Sequence, residues 1–372
     1  MKALYANELS ELIENFDKFE ANNNVQSILI LMTDDIAFTP SLVEPILKKV
    51  SKPILGGLFH EIIVNSKVKS NGVLLLPLSF KLKTKVIEFE SDSDSLLEIL
   101  EEKYSSNLPL SGSMFVFVDA FVYGKNAFVE GLYNFFGNDY NFIGAGCGTY
   151  SFQSKKCVVD NNGMYANAAV VGLTEFPISI GVAHGWTPIT EPMKATEVDS
   201  NKVITINWEN AYDVYKQIVE EHSGKNLNET NFKEIAKSYP LGLVKVDGEM
   251  VIRDPYTVID GALHLLDNID SGQYFCIMHG NTESLIEGAR EAKNNCINSF
   301  DEKEFDGYFF CIDCFSRVKF LEDKFVAELD EIGGNDILHG ALTFGEIANI
   351  GNSFLEIYNK TVIVAKWKQQ II

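Results

Sequence analysis

Apolar residues recur at Leu9, Leu12, Ile13, Phe16 and Phe19, the spacing of a single helix face. Residues 27–32 that follow are continuously apolar, as expected of a strand covered on both sides. A second helix is predicted over 41–50 and a short strand over 53–55. Gly56-Gly57 then makes a turn, and two alternating segments, 61–65 and 72–77, read as a hairpin. With the strand predicted over 1–6, this is one α/β unit closing on a Gly-rich turn.

The order then repeats. A strand over 83–89, a helix over 94–104, a buried strand over 114–119, a helix over 126–136 and a strand over 141–144 lead into Gly144-Ala-Gly146-Cys-Gly148. The second hairpin covers 156–160 and 167–172. A third copy runs through strand 274–279, helix 283–296, buried strand 308–313, helix 319–329 and strand 336–338. Gly340 and Thr343-Phe-Gly-Glu-Ile347 form its turn, and 354–358 with 361–366 its hairpin. The turns align by eye as Ile54-Leu-Gly-Gly57, Phe142-Ile-Gly-Ala-Gly146 and Ile337-Leu-His-Gly-Ala341. Self-similarity of long period dictates the architecture before any local detail. The predicted class is α/β (mixed α+β), with repeated βαβαβ-hairpin units forming mixed sheets in two domains. The polar stretch 223–231 separates them, giving domains over 1–222 and 231–372. Between the second and third copies, 178–198 reads as strands, 207–221 as a helix and 239–253 as a hairpin turning at Asp247-Gly248.

Composition narrows the function. A formal net charge of −21 opposes nucleic acid and anionic membranes as partners. No apolar run approaches the roughly 20 residues that span a bilayer, and the first residues lack the order of a signal peptide. Six thinly spread Cys read as free thiols in a reducing compartment, so a cytoplasmic protein is expected.

Arginine is scarce. Only Arg253, Arg290 and Arg317 occur among 31 basic residues, leaving 28 Lys. An Arg kept in such a chain points to a bidentate task, such as gripping a carboxylate. Arg253 falls at a predicted strand end, where it serves either a ligand carboxylate or a structural pair with Asp254 or Asp260. Cys314 and Arg317 follow a buried strand, where open α/β sheets bind ligands; Arg317 either joins Arg253 around an anion or caps a helix. Glu346 in the third turn either accepts from a ligand amine or pins turn amides. Asn359 and Thr361 sit in the last hairpin, where Asn359 holds the turn or touches ligand. Cys311-x-x-Cys314 lacks the second pair that zinc needs and reads as buried thiols. Gly144–Gly148 is neither a P-loop nor a dinucleotide fingerprint, and no Gly-x-Ser-x-Gly elbow occurs. Nothing requires catalysis or a metal.

The motif order resembles the FIST sensory domains. Pro240-Leu-Gly-Leu with Val251-Ile-Arg-Asp-Pro255, then Asp313-Cys-Phe-Ser-Arg317, Thr343-Phe-Gly-Glu346 and Tyr358-Asn-Lys-Thr361 match its C-terminal part in sequence. The doubled βα pattern and Gly144–Gly148 match its N-terminal part. The resemblance implies an intracellular sensor of a small ligand, an amino acid or similar metabolite, with Arg253, Arg317, Glu346, Cys314, Asn359 and Thr361 lining the pocket. A non-enzymatic protein is expected. Some similar proteins bind haem and sense nitric oxide; His60 or His339, both at Gly-rich turns, would then ligate the iron. An enzyme using Cys314 is the remaining alternative. Without an output domain in the chain, a separate signalling protein is the expected partner. The first turn departs from the pattern, carrying Leu58-Phe-His60 where small and hydroxyl residues are expected.

Overall fold

In the computed structural model the described residues are 1–89, 99–100, 102, 104, 108–245, 249–299, 308–349 and 354–368. The helix predicted over 94–104 and the Asp247-Gly248 turn lie largely outside them.

Each copy has the same parts. The first contains β1 (Leu4–Ala6), the helix Leu9–Glu20, β2 (Ser27–Thr33), the helix Pro40–Leu47, β3 (Ile54–Phe59), β4 (Glu61–Val64), β5 (Lys67–Lys69) and β6 (Val73–Leu78). The second contains β7 (Lys83–Glu88), β8 (Gly112–Asp119), the helix Lys125–Phe136, β9 (Tyr140–Cys147), β10 (Val158–Asp160), β11 (Gly163–Tyr165) and β12 (Ala168–Thr174). The third begins at β13 (Ser179–Ala183) and is then interrupted by β14 (Thr187–Pro188), β15 (Met193–Asp199), β16 (Lys202–Ile206), β17 (Glu209–Asn210), β18 (Leu241–Leu243), β19 (Val251–Arg253), β20 (Pro255–Ile259), β21 (Ala262–Leu265) and β22 (Tyr274–His279). It resumes with the helix Thr282–Asn298, β23 (Tyr308–Cys314), the helices Phe315–Leu321 and Phe325–Gly333, β24 (Ile337–Thr343), β25 (Glu346–Ala348), β26 (Glu356–Tyr358) and β27 (Val362–Lys366). The strand expected to open this copy at 274–279 is therefore β22 of the interruption, and β13 takes its place. The helix expected over 319–329 is split where Glu322 turns left-handed, with φ 50°.

The pairing is cyclic. In every copy the two helix-linked strands run parallel, and the last strand returns antiparallel on the other side of the first: β6-β2-β3, β12-β8-β9 and β27-β23-β24. The strand after the turn leaves its own copy. β4 pairs with β24, β25 with β9 and β10 with β3, so each copy completes the next one's sheet. The long strands expected to form hairpins with one another thus lie in different sheets, and each true hairpin uses a short partner, as β4 does with β5. Among the described residues three six-stranded mixed sheets result, and β14–β22 form a fourth sheet of nine. That fourth sheet carries strands from both sides of residues 223–231, since β15 pairs with β22.

Glycine makes the tight parallel pairing possible. Gly56 lies opposite Ile30, Gly144 opposite Val116 and Gly340 opposite Cys311. A Cβ on these glycines would stand 1.8, 1.8 and 1.9 Å from the facing carbonyl oxygen. This register moves the third copy by one residue from the alignment made by eye, matching Gly340 to Gly56 and Gly144. The turns bond to one another as well: Gly148 N–H donates to Leu58 O at 2.9 Å and Gly146 N–H to Gly345 O at 2.8 Å.

Gly144→Ala is expected to cost about 3 kcal/mol or more, since backbone on the facing strand must move. Gly224→Ala, left-handed but in open space, should cost only about 1 kcal/mol. Chemical denaturation of the two variants measures the difference.

Candidate ligand site

The carboxyl ends of β23 and β24 open on a buried polar network. Arg317, fully buried in the short helix after β23, uses every N–H it has. Nε and Nη2 donate to the two oxygens of Glu328 at 3.0 and 2.7 Å, Nη1 to the carbonyls of His184 and Lys360, and Nη2 to that of Leu285. No donor remains for a ligand. Asp313 lies 3.3 Å from Nε, and burial with the Glu328 charge holds its carboxyl well above the usual range.

Cys314, Glu346 and Thr361 meet beside it. Thr343 Oγ1 donates to Glu346 Oε1 at 2.9 Å, and Cys314 N–H donates to Thr361 O. Burial pushes the Glu346 carboxyl up to about 8. Its Oε2 has no hydrogen-bond partner among the described residues. The Cys314 thiol is likewise buried and raised, so it stays protonated and a poor nucleophile.

Arg253 and Asn359 belong to a second group, which opens toward solvent. Arg253 Nε donates to Asn268 O and Nη1 to Ile252 O and Ile357 O. Nη2 makes no hydrogen bond among the described residues. Asn359 Nδ2 donates to Asp267 Oδ2 at 2.6 Å, and Lys125 Nζ lies 3.1 Å from Asp267 Oδ1. Although burial opposes it, the charges of Lys125 and Arg253 hold the Asp267 carboxyl below its usual range. Two cations thus face one carboxylate. Lys125 comes from the second copy, Arg253 from β19 of the fourth sheet, Asp267 from the segment after β21, and Asn359 from the third copy. Lys125 and Asp267 carry no motif, and nothing in their sequence context distinguishes them.

One segment joins the two groups. After Asn359, Lys360 Nζ pairs with Asp254 at 3.2 Å, the Lys360 carbonyl accepts from Arg317 and from Trp186 Nε1, and the Thr361 carbonyl accepts from Cys314 N–H beside Glu346. Lys360 holds a left-handed φ of 52°. The six residues singled out in the sequence therefore lie on a single network, in two groups.

His339 is buried, its Nδ1 accepts from Asn65 N–H, and burial lowers it to about 4. His60 is partly buried between Tyr150 and Phe315. Among the described residues there is no group of three or more His, Cys, Asp or Glu that could hold a metal ion.

Family models match the chain as a FIST N domain over residues 27–209 and a FIST C domain over 211–349. The chain belongs to the FIST family. FIST domains are small-ligand sensory domains of signal transduction. No curated protein matches this FIST chain. Among its described residues no helix is long and apolar enough to cross a membrane.

Glu328→Ala should cost about 3–5 kcal/mol by leaving the Arg317 charge buried without its partner. Stability should also depend on pH from both sides. Folding raises the Glu346 carboxyl from 4.5 to about 8, so the folded state holds the extra proton and stability falls as pH rises through that window. Burial and the Arg317 charge lower His184 from 6.5 to about 3, so the unfolded state holds the extra proton and stability falls as pH drops below 6.5. Glu346→Gln is expected to flatten the alkaline limb and leave the acid limb, as read by denaturation midpoints from pH 4 to 9.

Proposed function

We propose that this FIST protein senses a small carboxylate, an amino acid first among them, at the Arg253–Lys125–Asp267 group. The observation that carries this reading is the uncommitted Nη2 of a nearly buried Arg253, beside a second cation and a single carboxylate. A ligand carboxylate would complete the guanidinium and take the Lys125 ammonium, and an α-ammonium would face Asp267. Charge-assisted bonds of this kind are stronger than neutral ones and set orientation. Glu346, fully buried within its turn, has a different part. It receives the ligand's effect through Asn359, Lys360 and Thr361 rather than touching the ligand.

The contributing residues come from three parts of the fold, so occupancy would bias how these parts sit together. A ligand shifts such an equilibrium only by its differential affinity for the two states. The change would be read by a separate signalling protein, without catalysis. Six buried free cysteines fit a reducing compartment such as the cytoplasm.

Calorimetry against the twenty amino acids and common small carboxylates tests the proposal. At least one should bind, and Lys125→Ala and Arg253→Ala should each weaken it by about tenfold or more. Among the described residues the Lys125 ammonium pairs with Asp267 alone, so its replacement should leave the fold intact. Absence of any binding, or binding indifferent to both substitutions, overturns the reading.

A further inference from the structure

A second feature lies apart from the Arg253 group, at the three Gly-rich turns. Six rings form a closed circuit of contacts. His60 meets Phe315 at 5.0 Å between centroids, Phe315 meets Phe344 at 5.5 Å and Phe344 meets Phe121 at 5.3 Å. Phe121 meets Phe152 at 5.7 Å, Phe152 meets Tyr150 at 5.2 Å and Tyr150 returns to His60 at 5.6 Å. All three copies contribute, each from the carboxyl end of a parallel strand or the turn that follows it, where open α/β sheets bind their ligands.

Core packing accounts for Phe315 and Phe344 but not for the two outer rings. Tyr150 is 52% exposed and Phe152 56% exposed. Phe152 also holds a left-handed φ of 53°, an outlier for a bulky side chain. Strained backbone of this kind collects at ligand-binding positions. A cation completes the arrangement. The Lys319 Nζ stands 5.5 Å from the Tyr150 ring centroid and 5.1 Å from that of Phe315. In a chain of net charge −21, an ammonium placed over the exposed Tyr150 ring meets the charge of an anion rather than of another cation.

We infer that this surface is a binding site for a flat aromatic anion, its ring packed against Tyr150 and Phe152 and its charge on Lys319. Offset and edge-to-face contacts with two rings supply the affinity, and the ammonium supplies selection by charge. The site is independent of the amino-acid reading, since it shares no residue with the Arg253 group.

Titration of the full chain with indole-3-carboxylate and with uncharged indole tests the inference. Indole-3-carboxylate should bind with one-to-one stoichiometry. Tyr150→Ala and Phe152→Ala should each weaken it by about fivefold to tenfold. Lys319→Ala should weaken indole-3-carboxylate and leave indole unchanged, while Arg253→Ala should change neither. All three site residues are exposed, so thermal melts of their variants should coincide with that of the parent chain. The inference falls if neither probe binds at millimolar concentration, if the three site variants bind like the parent, or if Arg253→Ala abolishes binding.

Discussion

The close approach of parallel backbones at Gly56, Gly144 and Gly340 is the constraint on which the rest of the structure depends. Each glycine lets the second helix-linked strand lie against the carbonyl of the first without a Cβ between them. The turns that follow then come near enough to bond across copies, as Gly148 does to Leu58. Once the turns meet, the next strand of each copy cannot fold back on its own sheet and adds to its neighbour's instead. Three copies exchanging strands in one direction close a ring. No copy retains a complete sheet without the others, and the stability of each is therefore held by all three.

The fourth sheet enters this ring at one place only, between β13 and the helix Thr282–Asn298. Arg317 fastens that junction. Its guanidinium holds the carbonyl of His184, where the chain leaves the ring, and that of Leu285, where it returns. Glu328 balances the charge from the other side. A lysine in this position has three donors on a single atom and cannot span carbonyls in several directions while gripping both oxygens of a carboxylate. Geometry of this sort accounts for an arginine in a chain that otherwise uses lysine almost throughout.

Much of the architecture was legible in local pattern. The repeats showed because each copy must bury its helix-linked strands on both faces, which writes continuous apolar runs at 28–32, 114–118 and 308–312. Strand exchange was not legible, because alternation marks a strand without naming its partner, and β4 meets β24 across more than 270 residues. At the candidate site, scarcity of arginine singled out Arg253 and Arg317, of which Arg317 grips both oxygens of a carboxylate and Arg253 bonds separate backbone carbonyls. Scarcity carried no information on whether the acceptors belong to a ligand or to the protein. Arg317 spends its fork on Glu328 and backbone carbonyls, and only Arg253 keeps a nitrogen uncommitted. The six rings escaped notice for the same reason as the strand exchange: they are dispersed from His60 to Phe344, with Leu58-Phe-His60 as the single local sign.

The contrast between the two arginines shows how one fold can hold rigid and responsive charge together. The Arg317 guanidinium is desolvated and fully bonded, and any movement there exposes a buried charge to loss of its partner. The Arg253 group is at the surface of the same network, with a nitrogen in excess and an extra positive charge. Asn359, Lys360 and Thr361 connect them over three consecutive residues, too short a span to absorb a displacement by bending. A ligand that draws Arg253 and Asp267 together must therefore either move Lys360 against Arg317 or be opposed by it. Under the proposed function, that opposition would convert occupancy of a small site into strain at the base of the fourth sheet, where Arg317 holds the carbonyls of His184 and Leu285.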